Sequence, residues 1–259
     1  MAGLRTFTFL GTGTSVGVPM IGCDCIVCRS TNLRNHRYRA SVLIGTEQGN
    51  ILIDTSPELR LQLLRAQVRL VHSVLYTHYH VDHLYGMDDL RLMAKFLDGS
   101  VPLYCTEEVE HVIRRVFSYA FEDQQDLPSN FVPKIEFRRI DTAPFQVLGQ
   151  TVVPIPLIHS RFNVLGFRFD DVAYCTDVSE IPESSWPLLD GVRILILDCL
   201  RFKPHPAHLG LEQALEVIDR VHPEKAYLTH MSHEFDYETM NPNLPGGVEM
   251  AYDGLRFMF

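Results

Sequence analysis

The sequence predicts a layered α/β fold. Short β-type runs arranged as hairpins are followed by helix and strand pairs, and this order occurs twice along the 259 residues. Such an order indicates two facing sheets with helices on their outer sides. A chain of this length can fold as one layered unit with an ample core, so we expect a single domain over residues 1–259.

The first half opens with an alternating strand and a glycine-punctuated loop, Gly11 to Gly17. This loop lacks the Lys-Ser/Thr ending of a P-loop, so phosphate contact by its amides and tight packing remain equal alternatives. An Asp-Thr-Ser run before Pro57 predicts a helix start. The elements predicted in this half are strands 5–10, 40–45, 50–54, 71–75 and 101–105, and helices 57–65, 84–96 and 107–117.

The second half begins with a polar segment, residues 122–133, which we predict to be a surface insertion or flap. Seven β-type runs and one helical pattern follow, before a tail rich in Pro and Gly at 241–259. The predicted strands are 135–140, 145–148, 151–157, 164–169, 172–175, 194–198 and 225–229, and the predicted helix is 209–221.

Composition excludes several classes of function. There are 23 Lys and Arg against 32 Asp and Glu, a net charge of −9, which argues against general binding of nucleic acid or of an anionic membrane surface. The start of the chain does not resemble a signal peptide, and no run reaches membrane-spanning length, so we expect a cytoplasmic protein.

The segment Tyr76 to Asp88 carries the strongest chemical signal. It places His78, His80, Asp82 and His83 within six positions, directly after an apolar run. Imidazole and carboxylate are common ligands of zinc, manganese and iron. In an extended segment His78 and His80 point to the same side and can share one metal. Gly86 and the helical pattern after it indicate a turn that directs the second pair elsewhere, which implies two metals.

A second cluster contains three of the six cysteines, Cys23, Cys25 and Cys28. Three thiolates need a fourth ligand to close a tetrahedral zinc site, and His233 is the first candidate, with His36 as the alternative. A zinc ion here would join the N-terminal loop to the C-terminal segment. The other cysteines, Cys105, Cys175 and Cys199, lie at strand ends and are most simply core thiols.

The H-x-H-x-D-H pattern resembles the signature of the metallo-β-lactamase superfamily. With GTGTSVGVPMIGCDCIVC near the N-terminus and THMSHE near the C-terminus, the chain is similar to the PhnP-type phosphodiesterases of that superfamily. The resemblance implies an αββα four-layer sandwich. It also implies two divalent ions, Mn or Zn, in the active site and one structural Zn.

The resemblance also implies roles for individual residues. Further ligands are expected at His159, Asp177 and His230, each after a β-type run, and Asp177 would lie between the two metals. Asp54 would hold a metal-bound histidine without binding metal itself. The full set of implied metal ligands is His78, His80, Asp82, His83, His159, Asp177 and His230.

The implied activity is hydrolysis of a small phosphodiester, a ribosyl 1,2-cyclic phosphate or a cyclic nucleotide, by a hydroxide that bridges two metals. Asp82, Asp177 and His208 are the expected catalytic residues. His208 would protonate the leaving oxygen from the start of the helix 209–221, although a helix N-terminus disfavours an imidazolium. His205 is the alternative donor.

Two other functions fit parts of this pattern. The tRNA 3′-end endonucleases share the ligand set, but they hold tRNA with a basic arm for which this acidic chain has no segment. The PqqB proteins, which are binding proteins, resemble this chain in fold and in the cysteine cluster. Their active-site metal ligands tend to be incomplete, whereas the set of ligands here is complete. We expect a small-molecule phosphodiester as substrate and no membrane partner. The oligomeric state, a homodimer included, is left open.

Overall fold

The computed structural model describes residues 4–122 and 131–259. The strands of the described residues are β1 (Thr6–Gly11), β2 (Ser41–Thr46), β3 (Gly49–Ile53), β4 (Ser73–Leu75), β5 (Val101–Cys105), β6 (Ile135–Arg139), β7 (Phe145–Val147), β8 (Gln150–His159), β9 (Phe162–Phe169), β10 (Val172–Cys175), β11 (Ile194–Asp198), β12 (Lys225–Thr229), β13 (Val248–Met250) and β14 (Arg256–Met258).

Helices connect many of these strands. The α-helices are α1 (Leu59–Arg65), α2 (Val81–Leu84), α3 (Arg91–Leu97), α4 (Glu107–Val116), α5 (Leu211–Val221) and α6 (Tyr237–Met240). Short 3-10 turns occupy Leu33–Asn35, Tyr85–Leu90, Ser118–Ala120, Glu183–Leu189 and Asn241–Asn243. Among the described residues, none of these helices is both long enough and apolar enough to cross a lipid bilayer.

The strands form two seven-stranded sheets, ordered β14-β1-β2-β3-β4-β5-β6 and β13-β12-β11-β10-β9-β8-β7. In the first sheet, β3 to β6 run parallel and the remaining pairs are antiparallel. In the second, β10 to β13 run parallel and β7 to β10 form antiparallel hairpins. Each sheet therefore places several strand carboxyl ends along one edge.

Successive side chains along each strand point to opposite faces of the sheet, so the apolar side chains are divided between the layer between the sheets and the outer helical layers. In β3, Ile51 and Ile53 face the second sheet, whereas Leu52 packs toward the helices of the first. Between the sheets, the Phe7 ring lies 6.2 Å from the Tyr174 ring. On the opposite outer face, the apolar side of α5 covers the second sheet. These layers confirm the αββα sandwich.

Several element boundaries differ from the prediction. The helix predicted at 84–96 is a 3-10 turn followed by α3. Within that turn Gly86 lies against the chain after β3, where a Cβ would be 2.0 Å from the Ser56 carbonyl oxygen. The tail 241–259 contains strands β13 and β14, each only three residues long. The flap predicted at 122–133 falls largely outside the described residues.

The two ends of the described chain meet at one edge of the first sheet. Strand β14 pairs antiparallel with β1, with Thr6 opposite Met258. The Arg5 and Phe259 backbones exchange hydrogen bonds of 3.2 and 3.1 Å. The end of the chain is therefore ordered by its pairing with β1, although its Pro- and Gly-rich sequence predicted an irregular tail.

We expect Phe167→Ala to lower the free energy of unfolding by about 3 to 5 kcal/mol, because it empties a site between the sheets whose ring is fully buried. Phe96→Ala on α3 is the matched control, because that ring is 66% exposed and its loss should cost less than about 1 kcal/mol. Urea denaturation of both variants at equal metal loading measures the difference. Equal costs would contradict the placement of Phe167 in the central layer.

Candidate active site

The predicted site residues lie at the carboxyl ends of strands in both sheets. Asp54 directly follows β3, and the segment 77–83 follows β4. In the second sheet, Asp177 follows β10 and His230 follows β12. His159 ends β8, which runs in the same direction as β10 because each is antiparallel to β9. The ends of these parallel strands bring side chains that are distant in sequence to one edge of the sandwich.

The motif after β4 turns earlier than the sequence suggested. His80 is the N-cap of α2, so Asp82 and His83 already lie in the helix, ahead of Gly86. His78 precedes the helix in extended chain. This change of direction separates the two pairs of side chains, as the spacing predicted.

Two adjacent groups of side chains result, each with its ligand atoms within 4.8 Å of one another. The first group is His78, His80 and His159, and the second is Asp82, His83, Asp177 and His230. All seven side chains are buried except that of His80, which is half-buried. The site therefore opens to solvent beside His80.

Asp177 lies between the two groups. Its Oδ1 atom is 4.0 Å from His78 Nε2 and 3.8 Å from His159 Nε2 in the first group. In the second, Oδ1 is 3.4 Å from His230 Nε2, and Oδ2 is 3.1 Å from His83 Nε2. One carboxylate thus faces both groups with its two oxygens.

Several buried nitrogens in these groups lack a hydrogen bond within the described part of the chain. They are His78 Nε2, His83 Nε2 and both ring nitrogens of His230. Buried polar atoms are normally satisfied, and exceptions require an explanation such as a bound ion. Converging imidazole and carboxylate atoms match the ligand preferences of Zn, Mn and Fe. The residues present therefore fit divalent ions.

Hydrogen bonds orient these histidines from behind. Asp54 accepts from the amide of Thr77 at 2.9 Å, from its hydroxyl at 2.8 Å and from His83 Nδ1 at 2.7 Å. Since the Thr77 hydroxyl proton goes to Asp54, its oxygen accepts from His78 Nδ1 at 2.9 Å. His159 Nδ1 donates to the Ala207 carbonyl at 2.7 Å. In each ring Nδ1 is engaged, which leaves Nε2, the atom available for metal binding, facing the site.

The two groups differ in their protonation. Burial lowers the pKa of His78 well below its usual value and also lowers that of His159, so these rings are neutral. Burial also opposes charge on His230, but Asp177, Asp82 and Asp198 outweigh it and raise its pKa to about 9. Burial opposes charge on His83 as well, but the nearby carboxylates, of which Asp177 has the largest effect, raise its pKa.

His208 lies beside the metal-binding groups. Its ring stacks on His230 at 4.6 Å and meets His159 edge-on at 4.6 Å. It is not at a helix start, since α5 begins at Leu211, so the expected penalty from a helix N-terminus does not apply. The alternative donor, His205, lies on the rim of the site with its ring 5.4 Å from that of His208.

Asp198 is a site residue that the sequence reading missed. This fully buried carboxylate lies 3.1 Å from His208 Nδ1 and 3.7 Å from His230 Nδ1. It also accepts from the amides of Val178 and Leu209. The available signal was a charge at the end of the apolar strand β11, a position like that of Asp54 at the end of β3, for which the resemblance implied a role.

The cysteine cluster forms a separate site. Its four side chains, Cys23, Cys25, Cys28 and His233, have ligand atoms within 4.8 Å of one another. His233 Nδ1 lies 3.2 Å from Cys23 Sγ, whereas His36 bonds the Ser30 carbonyl instead. A hydrogen bond from the Cys28 amide lowers the pKa of Cys25 to about 6, which favours the thiolate that binds zinc. The remaining cysteines are buried, as expected.

The glycine loop serves packing rather than phosphate contact. The Gly13 amide bonds the Tyr38 carbonyl, and the Thr14 amide bonds the Met231 carbonyl next to His230. A Cβ at Gly11 would lie 2.0 Å from the Arg39 carbonyl oxygen. The Gly13 and Thr14 amides are therefore committed to backbone partners, and the bond from Thr14 holds the loop against the segment that carries His230.

We expect Mn²⁺ binding to the metal-free protein to release about two protons at pH 7, because His83 and His230 must lose theirs to become ligands. Mn²⁺ prefers nitrogen and oxygen ligands, so it reports on these groups rather than on the thiols. The affinity for Mn²⁺ should rise as the pH increases toward about 9, where His230 loses its proton even without a bound metal. Calorimetry in buffers of different ionisation enthalpy measures the release, and heats independent of the buffer would contradict it.

Comparison with known proteins identifies the family and the fold of the chain. A family model of the beta-lactamase superfamily domain matches residues 49–231. A solved diphosphatase of the PhnP family is 38% identical with a TM-score of 0.93, covering 100% of this chain and 98% of that chain. Zinc-bound PqqB from Methylobacterium extorquens has a TM-score of 0.80 at 18% identity, covering 97% of this chain and 99% of its own, and shares the fold.

A curated relative bears a different name. The octanoyltransferase of Porphyromonas gingivalis (strain ATCC BAA-308 / W83) is 36% identical over 250 residues, which are 95% of this chain and 50% of that protein. The chain thus spans about half the length of this relative, and the activity in its name describes the longer protein. The superfamily match covers more than half of the present chain. The chain therefore belongs to the metallo-β-lactamase superfamily, as a PhnP-like protein of that fold.

Proposed function

We propose that the protein hydrolyses a small phosphodiester, of the ribosyl 1,2-cyclic phosphate or cyclic nucleotide type, at two divalent ions, Mn or Zn. The observation that carries the proposal is the position of Asp177, whose two oxygens face both ligand groups. A third ion, a structural Zn, would be held by Cys23, Cys25, Cys28 and His233.

The expected ligands divide between the two groups. His78, His80 and His159 would hold one ion and Asp82, His83 and His230 the other, with Asp177 shared. When bound, the ions would supply positive charge for the phosphate oxygens and lower the pKa of water, from which hydrolysis obtains its nucleophile. Asp82 stays ionised, because His83 and His230 lower its pKa well below the usual range although burial opposes them.

His208 would supply the proton that the leaving oxygen requires. Asp198 lies 3.1 Å from its Nδ1 atom, so the donor proton would be held on Nε2. The stacked His230 and edge-on His159 rings fix the imidazole plane. Asp198 therefore acts as a positioning residue for His208.

The alternative functions have less support. The chain carries a net charge of −9, and a tRNA endonuclease depends on basic surface to bind its substrate. A PqqB-like binding protein would not need both complete ligand groups. The relative named octanoyltransferase is about twice as long as the present chain, so its name describes the longer protein. The two metal-binding groups described here support hydrolysis instead.

We expect Asp177→Asn to reduce turnover of bis(p-nitrophenyl) phosphate at least about a hundredfold in Mn or Zn, because the amide removes the charge that faces both groups. Elemental analysis should show about three ions per chain in the parent and fewer in the variant. Asp219→Asn, at an exposed position on α5, is the control and should change neither quantity. One zinc per parent chain, with no turnover in any metal, would refute the proposal.

We expect His208→Gln to separate substrates by their leaving groups. Loss of a general acid should slow 2′,3′-cyclic AMP hydrolysis about 100-fold or more, because an alkoxide needs a proton on departure. Bis(p-nitrophenyl) phosphate should lose less than about tenfold, because nitrophenolate departs without one. His111→Gln on the exposed side of α4 is the control. Equal losses on both substrates would exclude His208 as the leaving-group acid.

A further inference from the structure

A cavity of about 680 Å³ lies between α1 and α3, on the outer side of the first sheet. None of the described residues that line it belongs to the two ligand groups or to the cysteine cluster. Its walls are largely apolar and include Leu63, Leu64, Val68, Leu92, Met93 and Phe96. Small-molecule sites are concave, mostly apolar and of this size. The cavity therefore has the character of a ligand site that is separate from the metal-binding groups.

The protein covers these apolar walls only in part. Leu63 and Met93 are buried and form the floor, whereas Leu64, Leu92 and Phe96 are exposed, Phe96 by 66%. Single exposed apolar side chains are ordinary, but several that converge on one cavity mark a binding surface. Because α1 and α3 each have 7 residues, the walls are about 10 Å long. An apolar lining of this shape, between two helices, fits an extended aliphatic chain.

Two arginines lie at opposite ends of this cavity. Arg60 is in the first turn of α1, and the Asp89 carboxylate beside it accepts a hydrogen bond from the Arg60 amide at 3.2 Å. Arg69 follows the last turn of α1. Over residues 4–122 and 131–259, Arg69 has no ion pair and its guanidinium donates no hydrogen bond. A carboxylate therefore offsets the charge at the Arg60 end, whereas the charge of Arg69 is left for an anionic ligand.

Arg69 also borders a second, more polar cavity of about 760 Å³. The two cavities share residues 68–70 and are therefore adjacent. Among the described residues, the charged side chains that line the polar cavity are Arg65, Arg69, Arg256 and Glu47. The buried Asp253 pairs with Arg65 at 3.5 Å. Three arginines thus lie near two carboxylates, and positive charge remains beside the apolar cavity although the whole chain is acidic.

We propose that these adjacent cavities bind an anionic amphiphile, with its aliphatic chain between α1 and α3 and its anionic head at Arg69. Burial of CH₂ groups against apolar walls stabilises the chain, and a guanidinium with free N–H groups pairs with carboxylate or phosphate oxygens. A cationic head would be repelled at the same place. The ligand class includes free fatty acids and lipids that carry one acyl chain and a phosphate head. This site is distinct from the proposed hydrolysis, because its walls contain none of the predicted metal ligands.

The first measurement is calorimetric titration of three probes into the metal-loaded protein, each below its critical micelle concentration. Decanesulfonate has a long chain and a negative head, butanesulfonate has the same head on a shorter chain, and decyltrimethylammonium has the long chain with a positive head. We expect decanesulfonate to bind at least about 50-fold more tightly than butanesulfonate, because each further buried CH₂ group is worth about fourfold. It should bind at least about tenfold more tightly than the cation.

Substitutions should distinguish the chain site from the head site. Phe96→Asp should weaken decanesulfonate binding at least about tenfold, because it places a charge where the chain lies. Arg69→Glu should abolish or reverse the preference for the negative head. Leu33→Asp and Arg115→Glu are the matched controls, because both side chains are exposed and line neither cavity. Both controls should keep every affinity within about twofold of the parent.

Spectra of protein labelled with ¹³C in its methionine methyl groups test where the chain lies. Met93 is in the floor of the apolar cavity, whereas Met231 is buried next to His230 and reports on the metal-binding groups. Decanesulfonate should shift the Met93 signal, which is identified by its loss in Met93→Leu, and leave the Met231 signal unchanged. A shift of the Met231 signal alone would place the probe at the metal-binding groups and overturn the proposal.

Competition against decanesulfonate identifies the source of the chain. Stronger displacement by decanoate assigns the site to free fatty acids, and stronger displacement by decanoyl glycerol phosphate assigns it to phosphate-headed lipids. The proposal fails if neither displaces the probe, if the anionic and cationic probes bind equally, or if Phe96→Asp keeps the parent affinity. It also fails if the parent sediments as a dimer and Phe96→Asp as a monomer, since a second copy of the chain would then cover the cavity.

Discussion

The geometry of the site depends on one buried carboxylate, Asp54. It accepts three hydrogen bonds from the segment after β4, two from Thr77 and one from His83 in α2. Burial raises its pKa, whereas the His83 charge and these donors favour the ionised form. Each oxygen has at least one donor, so a charge that would otherwise be costly in the core is compensated. Through Thr77 the same carboxylate also sets the orientation of His78.

Three site residues share a strained backbone conformation. Asp54, Asp177 and His230 have φ values of +64°, +56° and +59°, and they follow β3, β10 and β12. Residues other than glycine rarely adopt this left-handed region of backbone conformation, although Asp and His tolerate it better than most. The strain costs about 1 kcal/mol or more for each residue. Two of the three, Asp177 and His230, belong to the ligand group of His83, and Asp54 accepts a hydrogen bond from that histidine. Residues in this strained backbone conformation therefore occur where the strands end at the site.

The sequence was most informative where periodicity and residue type agree. The strand positions, the layered fold and the family followed from alternating apolar runs and from the H-x-H-x-D-H spacing. The structure brings together the seven ligands that the resemblance implied, because the segments that carry them follow or end strands whose carboxyl ends lie at one edge of the sandwich. His233, too, was selected by its proximity to His230 in the chain.

Other features depend on tertiary contacts that no local pattern records. The role of Asp198 arises only when β11 lies between β10 and β12, which brings its carboxylate to His208. The glycine loop could not be distinguished from a phosphate cradle until its amides were seen to bond Tyr38 and Met231. Strands β13 and β14 are too short to show alternation and form by pairing with neighbours.

The pairing of Arg5 with Phe259 has a consequence for how this fold is joined to other polypeptides. Strand β1 runs from that pair toward Thr12, whose carbonyl accepts from Met231 beside His230. The paired ends thus lie at the opposite end of β1 from the histidines. A tether attached at either terminus would leave the sandwich there, so a second folded unit can be accommodated without blocking access to the ligands.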